Sequence, residues 1–187
     1  EILVTNGLGV INYTPHIRVD KTDKFLYVGR LSPEKNLNLV VEVFNDLPYE
    51  LTIVGEGADR ETLEAKANPN IKLMGYVKNK ELNKLYRSHR ALVLVSTDEP
   101  FGLVAEESLY FGTPVIVSSV CGIVDSLCFD KMNSLVVNAD SKDEIIEAVN
   151  QMLDAELYKE LLSNCNPETI IKKNEDQVKI YVDNILS

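Results

Sequence analysis

Six short runs of apolar residues, each too brief for a helix, recur along the chain: Phe25–Val28, Leu51–Val54, Ile71–Met74, Ala91–Val95, Val115–Val117 and Leu135–Val137. Segments with apolar residues at helical spacing lie between them, such as Leu37, Val40, Val41 and Phe44, or Leu82, Leu85 and Tyr86. Strands alternating with amphipathic helices predict a doubly wound, Rossmann-like α/β domain around a parallel sheet of about six strands. Such sheets leave one ligand crevice, beyond the carboxyl ends of their strands.

Punctuation sets the remaining elements. Asn6-Gly7 marks a turn in a lead-in strand or loop over residues 1–20. Ser32 is a candidate N-cap with Pro33 at the first helical position, which predicts a helix from Glu34 to about Leu47. A short helix is expected over Gly122–Leu127, with further helices over Asp143–Leu153 and Glu156–Leu162. The final helix, Pro167–Leu186, carries Ile170, Ile171, Val178, Tyr181 and Ile185 on one stripe.

Most of the chemistry gathers between Ser96 and Gly122. An apolar run stops at small and acidic residues, and the chain makes a turn at Glu99-Pro100-Phe101-Gly102 before entering a helical pattern. Val104, Ala105, Ser108, Leu109 and Gly112 share one side of that helix, and Thr113-Pro114 ends it. Two carboxylates result: Glu99 in the loop and Glu107 on the helix. Glu107 can accept two hydrogen bonds from a vicinal diol such as a ribose. Glu106 points about 100° away round the helix and is expected in solvent. The N–H groups of Phe101, Gly102 and Leu103 at the helix start suit a phosphate or an array of hydroxyls.

Basic groups follow another strand. Arg30 and Lys35, in Gly29-Arg30-Leu31-Ser32-Pro33-Glu34-Lys35-Asn36, lie where both can reach a diphosphate, Arg as a planar fork and Lys as a mobile point charge. Gly75-Tyr76-Val77 closes a third strand and places backbone groups beside the same crevice. Gly55-Glu56-Gly57-Ala58-Asp59-Arg60 imitates a dinucleotide fingerprint. Its last position is Arg60 rather than a small residue, so the glycines are assigned to a tight turn and not to NAD binding.

The balance of charge narrows the partners. A net charge of -10 argues against nucleic acid or an anionic membrane as a broad partner, since both require a basic surface. No apolar stretch reaches spanning length, and no secretory signal opens the chain. A first residue of Glu1, followed by sequence of folded character, leads us to expect a piece of a longer protein. Cys121, Cys128 and Cys165 have no metal-ligand spacing, which favours a reducing cytoplasm and packing roles. His16 and His89 are isolated and are assigned to surface or packing.

Glu99-Pro100-Phe101-Gly102-Leu103-Val104-Ala105-Glu106-Glu107, followed by Phe111-Gly112-Thr113-Pro114-Val115-Ile116, resembles the signature of retaining glycosyltransferases of family 4, which have the GT-B fold. The resemblance implies the carboxyl-terminal, donor-binding domain over residues 1–187, with the amino-terminal acceptor domain absent. It implies that Glu107 binds ribose, Glu99 contacts the transferred sugar, and Arg30 and Lys35 hold the diphosphate. Gly29, Gly75, Val77, Phe101, Gly102 and Leu103 complete the implied donor site. The nucleotide sugar would be substrate rather than cofactor, and no metal is expected. The full-length enzyme would be cytoplasmic and a candidate for peripheral association with the inner face of the membrane.

Two segments depart from the family pattern. Cys121-Gly122-Ile123-Val124-Asp125 stands where Gly-Gly-x-x-Glu is common, and Asp130-Lys131-Met132-Asn133-Ser134 replaces a glycine-ending turn. Asn36 replaces a glycine after Lys35. The alternatives left open are a non-catalytic nucleotide-sugar-binding module and a GT-B sugar-nucleotide epimerase. A hydrolase pair is rejected: its carboxyls stand roughly 5 to 9.5 Å apart across one bond, whereas eight residues at helical rise span about 12 Å.

Overall fold

The structure, a computed structural model, describes residues 21–186 apart from Asp125. The lead-in with Asn6-Gly7 and His16 lies outside the described residues, as do the side chains of Val178, Tyr181 and Ile185.

All six apolar runs are strands of one sheet: β1 (Lys24–Val28), β2 (Glu50–Val54), β3 (Ile71–Gly75), β4 (Ala91–Leu94), β5 (Val115–Ser118) and β6 (Ser134–Val137). Their order is β3-β2-β1-β4-β5-β6, and every pairing is parallel. Strand order reverses between β1 and β4, and such a switch point is where an open α/β sheet opens a crevice. The doubly wound expectation holds.

Alternation within β1 shows how the layers form. Phe25 and Tyr27 enter one core with Val40, Val41 and Phe44 of α1 (Leu37–Asn45), Leu63 of α2 (Arg60–Lys66), Ile145 of α5 (Lys142–Gln151) and Leu161 of α6 (Ala155–Ser163). Leu26 and Val28 enter the other with Tyr86 of α3 (Asn79–Ser88), Ala105 and Leu109 of α4 (Leu103–Tyr110) and Ile170 of α7 (Pro167–Leu186). The inner strands thus bury both faces, which is why their runs show no polar alternation, whereas the edge strand β3 leaves Lys72 and Met74 exposed.

Two local expectations fail. Instead of one helix from Glu34, the chain makes a 3-10 turn, Pro33–Lys35, and then sets Asn36 in the left-handed region at φ 57° before α1 begins. The Asn36 amide donates to the carbonyls of Val95 (3.3 Å) and Ala139 (2.7 Å), and those bonds hold a conformation that Asn tolerates better than most residues. Ser32 does not cap; its hydroxyl donates to Glu34 Oε1 at 2.6 Å.

The described residues of Gly122–Leu127 form turns and an isolated bridge rather than a helix. The Ile123 carbonyl accepts from both Leu127 N–H and Cys128 N–H, and Cys121 makes a bridge with Glu99. Main-chain groups that would propagate a helix are spent on folding the segment back over the β4–α4 loop.

Candidate functional site

Three strand ends build the crevice, and backbone contact sets their spacing. Gly29 N–H donates to the Val54 carbonyl and Gly55 N–H to the Gly75 carbonyl, which ties the turns after β1, β2 and β3 together. A Cβ at Gly55 would stand 1.8 Å from the Gly29 carbonyl oxygen. The second glycine of that motif, Gly57, abuts the Leu31 carbonyl in the same way. Both therefore serve loop-on-loop packing. The turns enclose a cavity of about 260 Å³, lined by Gly29, Arg30, Gly55, Tyr76, Val77 and Leu82 among others.

Arg30 stands at the cavity rim with its side chain 78% exposed and a loose contact to Glu34 Oε1 at 3.5 Å. An exposed pair of this kind contributes little to folding. The guanidinium is therefore available to a ligand. Its backbone is better held, because the Tyr27 hydroxyl donates to the Arg30 carbonyl at 2.7 Å.

Lys35 differs. Its ammonium meets Glu99 Oε2 at 2.7 Å, and both side chains are nearly enclosed, at 13% and 15% exposure. Glu99 is gripped further. Its Oε1 accepts from Gly102 N–H at 3.2 Å, and its carbonyl accepts from Gly122 N–H at 2.9 Å. The 3-10 turn carrying Lys35 is itself docked, since Thr97 N–H donates to the Glu34 carbonyl. Lys35 and Glu99 thus form one unit across the switch point. Burial, reinforced by Glu99 and Glu34, pushes the neighbouring Tyr27 phenol well above its usual range.

Gly102 adopts the left-handed conformation, φ 75°, as the N-cap of α4, and its amide is committed to Glu99 rather than to an incoming ligand. Phe101 and Leu103 flank it and are 41% and 40% exposed. One helical turn into α4, Glu107 accepts from the Tyr86 hydroxyl at 2.9 Å. Burial raises the Glu107 carboxyl above the ordinary carboxylate range; the Tyr86 bond opposes that shift, and Glu106 adds to it.

Arg30 and Glu107 are connected through α3. Leu82 lines the cavity with Arg30, and Tyr86, one turn further along α3, holds Glu107. Sequence reading placed Tyr86 on an apolar face and missed its polar end. A buried tyrosine hydroxyl needs a partner, and that rule was the available signal.

Glu106 is a correction. It is buried, at 4% exposure, because α7 returns across α4 and covers the face that periodicity left outward. Lys173 of α7 is near enough to feel its charge, although burial is the larger influence on that lysine. Cys121 is a packing residue: burial raises its thiol, and its sulfur lies 3.2 Å from Ser118 Oγ. His89 is internal, with Nε2 3.0 Å from Thr52 Oγ1 and Nδ1 2.7 Å from the Leu85 carbonyl, and burial lowers its pKa.

Among the described residues, no three His, Cys, Asp or Glu side chains gather into a metal-binding group. No described helix is long and apolar enough to cross a membrane.

The same architecture recurs in solved structures. Anabaena HepE in complex with UDP aligns with a TM-score of 0.76 at 18% identity, over 87% of this chain and 49% of that one. The C-terminal domain of LpcC, a glycosyl transferase group 1 family protein from Francisella tularensis, aligns with a TM-score of 0.69 at 20% identity, over 82% of this chain and 87% of that domain. The fold is thus that of one Rossmann-like half of a GT-B glycosyltransferase. Residues 14–170 match the family model of glycosyl transferases group 1, and the chain belongs to that family. An uncharacterized glycosyltransferase of Methanocaldococcus jannaschii is 30% identical over 173 residues, which are 87% of this chain and 44% of the relative. The chain therefore spans less than half the length of that relative.

Proposed function

We propose that this chain is the nucleotide-sugar-binding, carboxyl-terminal domain of a retaining glycosyltransferase. The whole enzyme would move a hexosyl group from a nucleotide-diphosphate sugar to an acceptor such as a growing glycan or lipid-linked saccharide. The observation that carries this reading is that Arg30, the Lys35–Glu99 pair and Glu107 all lie on the segments that follow β1 and β4, the two strands flanking the switch point, with Arg30 lining the adjoining cavity and Glu107 tied through Tyr86 to the helix whose Leu82 lines it. The HepE complex with UDP supports the nucleotide half of the ligand.

In this mechanism the base lies against Gly75 and Val77, at the cavity that Gly29 helps to line, and Glu107 takes the ribose diol. Arg30 and Lys35 neutralise the diphosphate. Glu99, exchanging part of its hold on Lys35, contacts the sugar, and the amides of Phe101 and Leu103 meet sugar hydroxyls and phosphate. As the bond from the anomeric carbon to the diphosphate oxygen breaks, its electron pair passes to the phosphate. The two cations then stabilise more charge than in the ground state, which is what lowers the barrier. The acceptor oxygen attacks on the face being vacated and gives its proton to the departing phosphate. The cations supply the neutralisation, so binding is proposed to be metal-independent.

The acceptor and the opposite wall would come from an amino-terminal domain beyond this chain. Alone, the domain is proposed to bind nucleotide weakly and to transfer nothing. The setting is proposed to be the cytoplasm, with the whole enzyme docking at the inner membrane face. Calorimetry with UDP, GDP and ADP tests the reading. Heat from one of them is expected and would identify the base; no binding of any would overturn it.

A further inference from the structure

We propose that Tyr86 is the positioning residue of the donor site: its hydroxyl holds the Glu107 carboxylate in the orientation that receives the ribose diol. The inference rests on the donor-site reading and adds a residue that the motif does not contain.

Tyr86 is fully buried, and its side chain is the partner that reaches Glu107 from a different helix, at 2.9 Å. It is fixed at several further points. The ring stacks on Phe111 with centroids 5.8 Å apart and planes 16° from parallel. The Tyr86 carbonyl accepts from the Thr113 hydroxyl and, at 3.4 Å, from the Lys21 ammonium. Phe111 and Thr113 belong to the segment that leaves α4, so the helix bearing Glu107 and the helix bearing Tyr86 are clasped at two levels. A phenol held this way cannot follow a carboxylate that swings. The carboxylate must stay where the phenol is.

One Glu107 oxygen is thus engaged by Tyr86. The other oxygen and the remaining lone pairs are left to accept from a diol, since a carboxylate offers about four acceptor sites. The same bond favours the ionised carboxylate against its burial. Among the described residues, the charge that acts on Glu107 is Glu106 on the same helix; Arg87 of α3 lies over the Phe111 ring, and Lys173 of α7 feels Glu106. One hydroxyl therefore fixes the orientation and also favours the charged form against burial.

Tyr86→Phe removes that hydroxyl and keeps the stacked ring. UDP, GDP and ADP, each with its 2′,3′-dideoxy counterpart, are titrated into the wild-type chain and the variant. For whichever base binds, the wild type is expected to prefer the ribose form, and Y86F to lose roughly ten-fold of that preference with the dideoxy affinity unchanged. Equal loss for both forms, or no loss, would overturn the positioning role. Carboxyl-detected NMR titration of Glu107 needs no nucleotide. Its midpoint is expected at higher pH in Y86F, and an unchanged midpoint would overturn the inference even where nucleotide binds. Failure of all three nucleotides to bind the wild type would instead remove the donor-site reading, and this inference with it.

Discussion

The two walls of the crevice are built to opposite specifications. On the β1 side, Arg30 is held by its backbone and presents a nearly free guanidinium. On the β4–α4 side the two site carboxylates are engaged before any ligand arrives: Glu99 with Lys35 from across the switch point and with Gly102, and Glu107 with Tyr86. One wall waits and the other is wired. A ligand meeting Arg30 replaces water, whereas a ligand meeting Lys35 must exchange one charged partner for another. That exchange favours a ligand carrying both an anion and hydroxyl donors, because it satisfies ammonium and carboxylate together. A sugar diphosphate has both.

The contrast breaks first at the ion pair. Lys35→Ala leaves Glu99 largely enclosed without its cation, and the expected loss is about 2–4 kcal/mol in urea unfolding, slightly below the range for fully buried pairs. Lys35→Met with Glu99→Leu should recover much of that loss, since the uncompensated charge is gone. A single-variant loss below about 0.5 kcal/mol would make the wired wall no different from an exposed one. Arg30 tests the opposite wall. Arg30→Glu is expected to change stability by less than about 0.5 kcal/mol while weakening nucleoside diphosphate binding by at least about ten-fold. Lys159→Glu, on an exposed position of α6, controls for general charge and should leave binding within about two-fold. Equal weakening by both substitutions would remove Arg30 from the site.

Gly102 lies between these extremes. Its left-handed φ of 75° turns the chain into α4 and aims the amide at Glu99. Gly102→Ala is expected to cost about 1–2 kcal/mol through backbone strain alone. The new methyl would also meet Ile123 Cγ2 at 3.0 Å. Thermal unfolding measures the loss. A neutral result would mean that the turn is free to relax and that Glu99 does not depend on it.

Which parts of this were legible in sequence follows from the range of the interactions. The strands were, because an inner parallel strand buried on both faces must be apolar throughout, and that property is local; the edge strand β3, with Lys72 and Met74 exposed, is legible only from its shorter apolar run. Glu99, Glu107, Arg30 and Lys35 could be singled out one by one as candidates, from spacing and flanking glycines. Their partnerships were not. Lys35 finds Glu99 across 64 residues, and the carbonyls that bend Asn36 lie 59 and 103 residues away. Glu106 was misplaced for the same reason, since helical periodicity separates two faces but does not reveal that α7 will cover the outward one. Tyr86 carried a signal that periodicity hid: its ring fits the apolar stripe, and only the hydroxyl required an explanation.

The smallest expected effect is also the one that separates folding from function. Burial raises the Glu107 pKa, so the folded chain takes up a proton there at a higher pH than the unfolded chain does. Below the unfolded carboxylate value both states are protonated and Glu107 imposes no electrostatic cost; as pH rises through the raised folded value, the unfolded state ionises more readily and stability falls. Glu107→Gln keeps an acceptor for Tyr86 and removes the charge. It should therefore be slightly more stable than the wild type at pH 7, with the gap closing as pH falls through the carboxylate range, and it should bind nucleoside diphosphate less well. Paired denaturation and binding measurements across that range decide the matter. A variant that is less stable at pH 7 would show that the Glu107 carboxylate supports the fold, whereas the expected gain would mean that this charge is kept at a cost to stability, for what it binds.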